Sequence, residues 1–167
     1  MTALLLVSIF SFNLIEVGLG IGTKTPIGNM ERHFSAGALG SVYLAKDWGN
    51  SKFTLSYERS NLGGVNQPNY DLSLSQVSFE YSYKILQRNN VALPLSIGIG
   101  NIWLKRKLLN LEEVGKSQTL DIGFGFLERI NRTSFGAKFF VACLYGLAEP
   151  RNASYLLWIK VTFGYEL

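Results

Sequence analysis

The stretch that decides the fold is Tyr155-Leu156-Leu157-Trp158-Ile159-Lys160-Val161-Thr162-Phe163-Gly164-Tyr165-Glu166-Leu167. Every odd-numbered residue in it is apolar or aromatic, whereas the even-numbered residues become polar or small towards the end. Because successive side chains of a β-strand point to opposite faces, this alternation predicts a strand with one apolar and one polar face. The stretch is also long enough to cross a bilayer as a tilted strand, which takes about 9–11 residues.

Seven further segments have strand-like patterns, and none has a sustained helical period. In the first, fifth and sixth, the face opposite the large apolar residues is mostly glycine and serine. In the fourth, Leu72 and Leu74 have the opposite phase to the residues that follow, which predicts a bulge near Ser75. The eight predicted strands are residues 15–23, 34–46, 51–58, 71–85, 91–104, 118–127, 134–145 and 155–167.

The predicted connections alternate in length. Residues 47–50, 87–90 and 128–133 form short links rich in turn-forming residues, and residues 24–33, 59–70, 105–117 and 146–154 form longer ones. Short turns at one rim and long loops at the other are typical of barrels in the bacterial outer membrane.

Composition narrows the class of protein. The chain has 167 residues, which suits one domain, and its hydrophobic content of 47% is too low for a bundle of membrane-spanning helices. The net charge of +4 comes from scattered basic residues, so nucleic acid is not an expected partner. The single cysteine, Cys143, excludes an internal disulfide, and we interpret it as a small apolar residue.

The last eight residues resemble the C-terminal insertion signal of bacterial outer-membrane β-barrels. Lys160 takes its polar position, and Tyr165 and Leu167 take its two apolar positions. Two residues depart from the pattern, because Thr162 stands where glycine is usual and the final residue is leucine instead of an aromatic. This resemblance implies recognition by the barrel-assembly machinery during insertion.

Strand number, loop asymmetry and the terminal strand together resemble the small eight-stranded outer-membrane barrels, the OmpA/OmpX-like group, over nearly the whole chain after residue 14. The resemblance implies an all-β fold: an eight-stranded antiparallel up-and-down transmembrane β-barrel with short periplasmic turns and longer extracellular loops. It also implies a monomer in the outer membrane of a Gram-negative bacterium, in contact with lipid and lipopolysaccharide and without a cofactor. We assign residues 14–167 to the barrel and residues 1–13, which include an apolar run, to the remnant of a signal peptide.

A soluble lipocalin-like barrel that binds a hydrophobic ligand would alternate in the same way, but with its apolar face inside. Side-chain size favours the opposite orientation, because a face rich in glycine suits the narrow interior of an eight-stranded barrel better than a water-exposed surface. Enclosed charges must then pair with one another. We therefore expect an ionic cluster of Glu80, Asp121, Lys138 and Lys160 in the lumen, with Glu80 and Lys160 meeting across it.

For function, we expect a structural or surface-interaction role, porin-like in architecture but with a side-chain-filled lumen and no wide pore. An enzyme that modifies lipid A is the alternative, for which Glu31, His33 and Ser35 would be the candidate residues. We interpret His33 instead as a solvated loop residue, and we expect no catalytic site and no metal site.

Two surface features complete the expectations. Lys105, Arg106 and Lys107 could contact lipopolysaccharide phosphates at the outer rim, or could form a solvated hairpin together with Glu112 and Glu113. Two belts of aromatic residues should lie roughly 25 Å apart along the axis at the membrane boundaries. The outer belt would contain Tyr57, Tyr145 and Tyr155, and the periplasmic belt Trp48, Tyr83 and Tyr165.

Overall fold

Three two-residue turns lie at one end of the molecule, which we call the turn rim. They are residues 49–50, 89–90 and 131–132, and the first residue of each has a positive φ: 59° for Gly49, 52° for Asn89 and 55° for Asn131. Glycine and asparagine tolerate this conformation best, which explains why these residue types occupy these positions. The turns join consecutive strands into antiparallel hairpins.

In a computed structural model, which describes residues 15–65, 70–108, 111–145 and 154–167, eight strands close into an antiparallel barrel in sequence order. A 3-10 helix, Asn29–Arg32, follows the first strand. Closure is made by the first and last strands, whose pairing runs from Glu16 opposite Glu166 to Gly28 opposite Ser154. The strands are β1 Glu16–Gly28, β2 Gly37–Trp48, β3 Ser51–Gly63, β4 Tyr70–Arg88, β5 Val91–Leu108, β6 Leu111–Ile130, β7 Thr133–Tyr145 and β8 Ser154–Glu166.

The predicted fold class is therefore confirmed, but several strands are longer than predicted at the end opposite the turns, which we call the loop rim. The link predicted for residues 105–117 is wrong, because β5 continues to Leu108 and β6 begins at Leu111. The predicted signal-peptide remnant, residues 1–13, and parts of two predicted loops, residues 66–69 and 146–153, lie outside the described residues. None of the described helices is long and apolar enough to cross a membrane.

The bulge predicted near Ser75 is also wrong. Leu72 and Leu74 face inward in the same phase as the buried polar residues Gln76, Ser78 and Glu80 that follow them, so β4 runs through Ser75 without a break. The irregularity lies instead between Lys84 and Leu86, where β4 runs opposite Pro94 of β5. Proline has no N–H to give to the ladder, so a break in pairing at this position has a local cause.

A continuous belt of large apolar side chains covers the outside of the barrel. These side chains alternate with buried, mostly small or polar ones along each strand, and many of them are strongly exposed, for example Ile21 at 72%, Ile99 at 63% and Phe124 at 62%. We define this apolar belt as the outward-facing residues of segments 17–21, 42–44, 53–57, 77–83, 93–99, 120–126, 135–141 and 159–165. A folded protein in water does not leave such a surface uncovered.

Beyond the belt, four strands continue towards the loop rim with the polarity of their faces inverted. We call this part the projecting section, residues 59–63, 71–75, 101–107 and 112–118 of β3–β6. Its outward face is mainly polar, with residues such as Arg59, Asn101 and Lys116. Its inward face instead contributes Leu62, Leu74 and Ile102, each no more than 1% exposed.

Candidate functional site: the filled lumen

Among the described residues, the inside of the barrel holds equal numbers of cationic and anionic side chains. Each is in an ion pair, except Asp121, which is hydrogen-bonded instead. The cations are Lys24, Lys52, Lys84, Arg129, Lys138 and Lys160, and the anions are Glu16, Asp47, Glu58, Glu80, Asp121 and Glu166. Their formal charges cancel, which is the condition for keeping this many charges away from bulk water.

At mid-height, Glu58 is held between two lysines from different strands. Its Oε1 lies 2.7 Å from Lys160 Nζ and its Oε2 lies 3.1 Å from Lys24 Nζ, and all three side chains are almost completely buried. Gly22 makes the crossing of Lys160 possible, because a Cβ at that position would collide with the backbone of residues 159 and 160. We call Lys24, Glu58 and Lys160 the central triad.

Gln76 connects the central triad to Asp121. Its Oε1 accepts a hydrogen bond from Lys24 Nζ at 2.8 Å, and its Nε2 donates to Asp121 Oδ2 at 3.0 Å and to Thr119 Oγ1 at 3.1 Å. The amide therefore uses both of its ends, and it joins a cation to an anion that do not touch each other.

A second pair lies nearer the turn rim. Lys138 Nζ is 2.6 Å from Glu80 Oε1, and Ser82 donates a hydrogen bond to the same oxygen at 2.7 Å. The four residues expected to form one ionic cluster thus all point into the lumen, but their partners differ from the expected ones. Lys160 pairs with Glu58 and not with Glu80, and Asp121 binds Gln76 and not a lysine.

Arg129 is the centre of a third network at the turn rim. Its guanidinium contacts Asp47 at 2.5 Å, Glu16 at 3.1 Å and Glu166 at 3.9 Å. Since Glu16 belongs to β1 and Glu166 to β8, one side chain ties both sides of the closing seam to β6. Lys52 and Tyr43 complete the network by donating to Glu16 at 2.8 Å and 2.9 Å.

An apolar plug fills the lumen towards the loop rim. Trp158 lies at the edge of the plug that is nearer the turn rim, and its ring faces the cations of the central triad. Lys24 Nζ is 4.2 Å and Lys160 Nζ 5.1 Å from the centroid of this ring. The plug consists of Phe34, Leu62, Leu72, Leu74, Ile102, Leu104, Ala142, Leu144 and Leu156. Charged layers and an apolar layer thus follow one another along the axis.

Little space is left between these layers. A cavity of ≈ 20 Å³ lies among Tyr43, Lys52, Lys138 and Lys160, which is room for about one water molecule. An eight-stranded barrel is just wide enough to be filled by its own side chains. The residues that line this cavity come from several strands, so the arrangement is suited to holding the barrel together.

The three basic residues expected to meet lipopolysaccharide lie on β5 instead of in a loop. Lys105 Nζ is 2.7 Å from Glu112 Oε1, and Arg106 pairs with Glu113, both across the β5–β6 hairpin. Lys107 stands opposite Glu112 in the register. Much of this basic charge is therefore compensated within the hairpin itself.

The residues of the predicted insertion signal occupy both faces of β8. Lys160 is inward, whereas Tyr165 and Leu167 are outward and 44% and 69% exposed. The backbone N–H of Leu167 donates to the carbonyl of Ile15 at 2.9 Å, so the end of β8 is paired with β1.

Of the candidate enzymatic residues, His33 and Ser35 are not joined by a hydrogen bond in the described structure. Ser35 Oγ donates to the carbonyl oxygen of Gly63 at 3.1 Å, and His33 is exposed at the end of the 3-10 helix. Within the described ranges, no group of three or more histidine, cysteine, aspartate or glutamate side chains could hold a metal ion.

Three lumen residues, Glu16, Lys24 and Arg129, are not predicted from the sequence. Lys24 falls in a predicted loop, although it continues the phase of Gly18, Gly20 and Gly22. Following that phase two residues further would have placed it inside. Arg129 likewise continues the inward phase of Asp121 and Gly125.

Comparisons with known proteins agree with this architecture. No protein-family model and no curated protein matches the sequence. Neisserial surface protein A matches the structure with a TM-score of 0.72 and 9% identity, over 92% of this chain and 97% of that one. Ail, the attachment invasion locus protein of Yersinia pestis, matches with a TM-score of 0.62 and 11% identity, over 93% and 99%. The outer membrane enzyme PagL matches with a TM-score of 0.50 and 14% identity, over 88% and 97%.

The chain has the fold of the small eight-stranded outer-membrane barrels. The match extends over almost the full length of each of these three barrels, so this chain corresponds to a whole barrel of that kind. At such low sequence identity the structural similarity shows the fold only. A role for this protein must be argued from its own residues.

Proposed function

We propose that this protein is an integral barrel of the bacterial outer membrane with a structural or surface-interaction role and no wide pore. The observation that carries the proposal is the apolar belt, whose side chains face outward while paired charges fill the interior. In water this orientation would expose the belt and bury the charges. In a bilayer it puts lipid against the belt and leaves the charges enclosed, where they pair.

The alternative of a soluble lipocalin-like barrel is not favoured, because such a barrel needs its apolar face inside. The lumen at belt height contains lysines and glutamates and a cavity for only about one water molecule. A hydrophobic ligand would not have enough space there.

A role at the cell surface is favoured over catalysis. The projecting section raises a polar surface beyond the belt, and two of the similar barrels are named as a surface protein and an attachment protein. PagL is an enzyme of the same fold, but the residues weighed here for catalysis, His33 and Ser35, are not hydrogen-bonded to each other. We propose outer-membrane lipid and lipopolysaccharide as the surroundings of the barrel, and the barrel-assembly machinery as the reader of Lys160, Tyr165 and Leu167.

Folding into detergent micelles followed by electrophoresis tests the proposal. A folded outer-membrane barrel migrates differently before and after boiling in SDS, and the folded protein should then insert into planar bilayers without a large, steady conductance. A chain that remains monomeric and soluble without detergent, and binds a hydrophobic fluorophore in its lumen, would contradict the membrane assignment. A large stable conductance would contradict the closed lumen.

A second test addresses the orientation of the faces directly. Single cysteines placed at Ile97 on the belt and at Ser96 next to it should respond oppositely to a lipid-soluble quencher attached to the membrane, in a background where Cys143 is replaced by alanine. Fluorophores at position 97 should be quenched and those at position 96 protected, because Ile97 is 49% exposed and Ser96 3%. The reverse result would mean that the face of Ser96, and not that of Ile97, contacts lipid.

A further inference from the structure

Where the apolar belt meets the projecting section, the outer surface carries a groove of ≈ 570 Å³. Its lower wall, on the side of the turn rim, is formed by Phe79, Ile99 and Leu120, which belong to the belt. Its upper wall, on the side of the loop rim, is formed by Val77, Asn101, Gln118 and Tyr145. Register pairing puts Tyr57, Val77, Asn101, Gln118 and Tyr145 opposite one another on five neighbouring strands. The groove is therefore apolar on the membrane side and able to hydrogen-bond on the other.

Directly above the groove lies a row of four outward residues with a basic side chain at each end. Arg59 stands opposite Ser75, Ser75 opposite Trp103, and Trp103 opposite Lys116. We call these four residues the basic row. Lys116 Nζ is 5.8 Å from the centroid of the Trp103 ring, which itself is 40% exposed. Tryptophan is favoured at the height of lipid headgroups, so its position agrees with a membrane boundary at this row.

In the part of the chain that the structure describes, no neighbouring carboxylate neutralises the positive charge of Arg59 and Lys116. Among the described residues, neither the row nor the upper wall of the groove contains a carboxylate, and Arg59 has no ion-pair partner there. The outward carboxylates Asp71 and Glu112 lie two register steps higher, where Lys107 stands between them. Glu112 is moreover bound to Lys105.

We propose that this groove binds a phosphate-bearing lipid of the surrounding membrane, with an acyl chain along the belt residues and the phosphate between Arg59 and Lys116. The proposal rests on the proposed function, because it needs the barrel to stand in a bilayer. The occupant is a lipid and not a soluble anion, because the apolar wall is continuous with the basic row. Arg59 and Lys116 are three strands apart, roughly 14 Å at the usual strand spacing, so their long side chains can converge on one headgroup.

The assignment differs from the one that the sequence alone suggested. Lys105 and Arg106 are paired with Glu112 and Glu113, whereas Arg59 and Lys116 have no ion-pair partner among the residues that the structure describes. A phosphate, which accepts charge-assisted hydrogen bonds, is attracted most strongly where the cations are uncompensated.

Native mass spectrometry of the folded barrel tests the proposal with dioleoyl phosphatidic acid and dioleoyl phosphatidylcholine, which have the same acyl chains. We expect the wild-type barrel to prefer phosphatidic acid. The double variant R59Q/K116Q should lose about fivefold of this preference for each cation removed, or about twenty-fivefold in all. The matched control is R32Q, which removes one charge from the exposed 3-10 helix at the same rim. It should leave the preference unchanged.

Two further arms identify the occupant. Gln118→Trp should fill the groove and weaken both lipids together. Inorganic phosphate and sucrose octasulfate should not displace bound phosphatidic acid, since neither has an acyl chain. Displacement by either one, or an R59Q/K116Q variant that behaves like R32Q, would overturn the proposal. A barrel that inserts normally but shows no lipid preference overturns this inference alone, whereas a barrel that never inserts overturns the proposed function as well.

Discussion

The belt region and the projecting section are made of the same strands with the same side-chain phase, yet their polarities are opposite. On β5, Ile97 and Ile99 of the belt point outward and Gly98 points inward; four residues on, Ile102 points inward and Trp103 outward. No bulge separates the two parts of β5. In the proposed membrane location, what changes is the surrounding medium, because a lipid-facing surface must be apolar and a water-facing surface need not be. The height at which the inversion occurs would then mark the membrane boundary on β3–β6.

The two regions also fill their interiors differently. At belt height the lumen is closed by paired charges, whereas in the projecting section it is closed by the apolar plug, which resembles the core of a soluble barrel. An apolar interior gains from the hydrophobic effect when water surrounds the barrel. In the proposed membrane location the outside of the belt already faces lipid, and the ion pairs and hydrogen bonds of the interior connect strands across the lumen.

The largest effect is expected from breaking the central triad. Glu58→Met would leave Lys24 and Lys160 as buried cations without their shared partner, so the free energy of unfolding should fall by about 3–5 kcal/mol. Unfolding in urea, followed by tryptophan fluorescence of the barrel in lipid vesicles, measures this loss. Lys160→Met should also lower the free energy of unfolding, but by less, because Glu58 loses its partner at 2.7 Å and keeps Lys24 at 3.1 Å.

The control for the triad is Glu112→Gln, since Glu112 also binds a lysine but is half exposed. If Glu58→Met costs no more than this control, water reaches the triad and the lumen at belt height is wet. That outcome would remove the distinction between a sealed charged layer and a solvated one.

The apolar plug is tested by Ile102→Ala, with Ile99→Ala of the same strand as its matched control. Ile102 is fully buried and Ile99 is 63% exposed on the belt. Removing Ile102 leaves a cavity, so we expect a loss of about 2–5 kcal/mol in the free energy of unfolding. Lipid can move into the space left at position 99, so the loss there should be clearly smaller. Equal losses from the two variants would mean that the plug is loosely packed.

The height of the boundary is tested by arginine scanning along the outward face of β6. Ile122→Arg places a charge on the belt and should cost about 2–4 kcal/mol if it lies near the bilayer midplane. Val114→Arg, in the projecting section on the same face, should change the free energy of unfolding by less than about 0.5 kcal/mol. A cost at position 114 comparable to that at position 122 would show that the membrane covers the projecting section too.

Much of this architecture could be predicted because period-two alternation and turn residues are local signals. The number of strands, their order and the inward phase of Glu80, Asp121, Lys138 and Lys160 follow from them. The pairing of Glu58 with Lys24 and Lys160 does not, because it depends on which side chains meet across the lumen, and the register between distant strands is not written in any one segment.

The strand ends were predicted less well for a physical reason. Strand assignment relied on a constant polarity for each face, and in the projecting section that polarity inverts. The inversion makes Leu72 and Leu74 look like a break in phase and residues 105–117 look like a loop, although Leu72 and Leu74 belong to β4, and residues 105–108 and 111–117 belong to β5 and β6. The same inversion explains why Tyr57, predicted at the outer end of a strand, lies within β3 but still at the edge of the belt, directly before Arg59 on the outward face.

The smallest effect is expected from the ion pair between Lys105 and Glu112, which lies in the projecting section and is exposed at both ends, at 54% and 50%. Because water screens such a pair, a double-mutant cycle of Lys105→Ala and Glu112→Ala should give a coupling energy of about 0.2–1 kcal/mol. Raising the salt concentration to about 1 M shortens the screening length to about 3 Å and should reduce this coupling further. The cycle between Glu80→Ala and Lys138→Ala, whose side chains are largely buried at belt height, should give a larger coupling that salt hardly changes. If salt changes both coupling energies alike, the two ion pairs are equally accessible to water. That result would contradict the difference between a sealed lumen at belt height and a solvated surface on the projecting section.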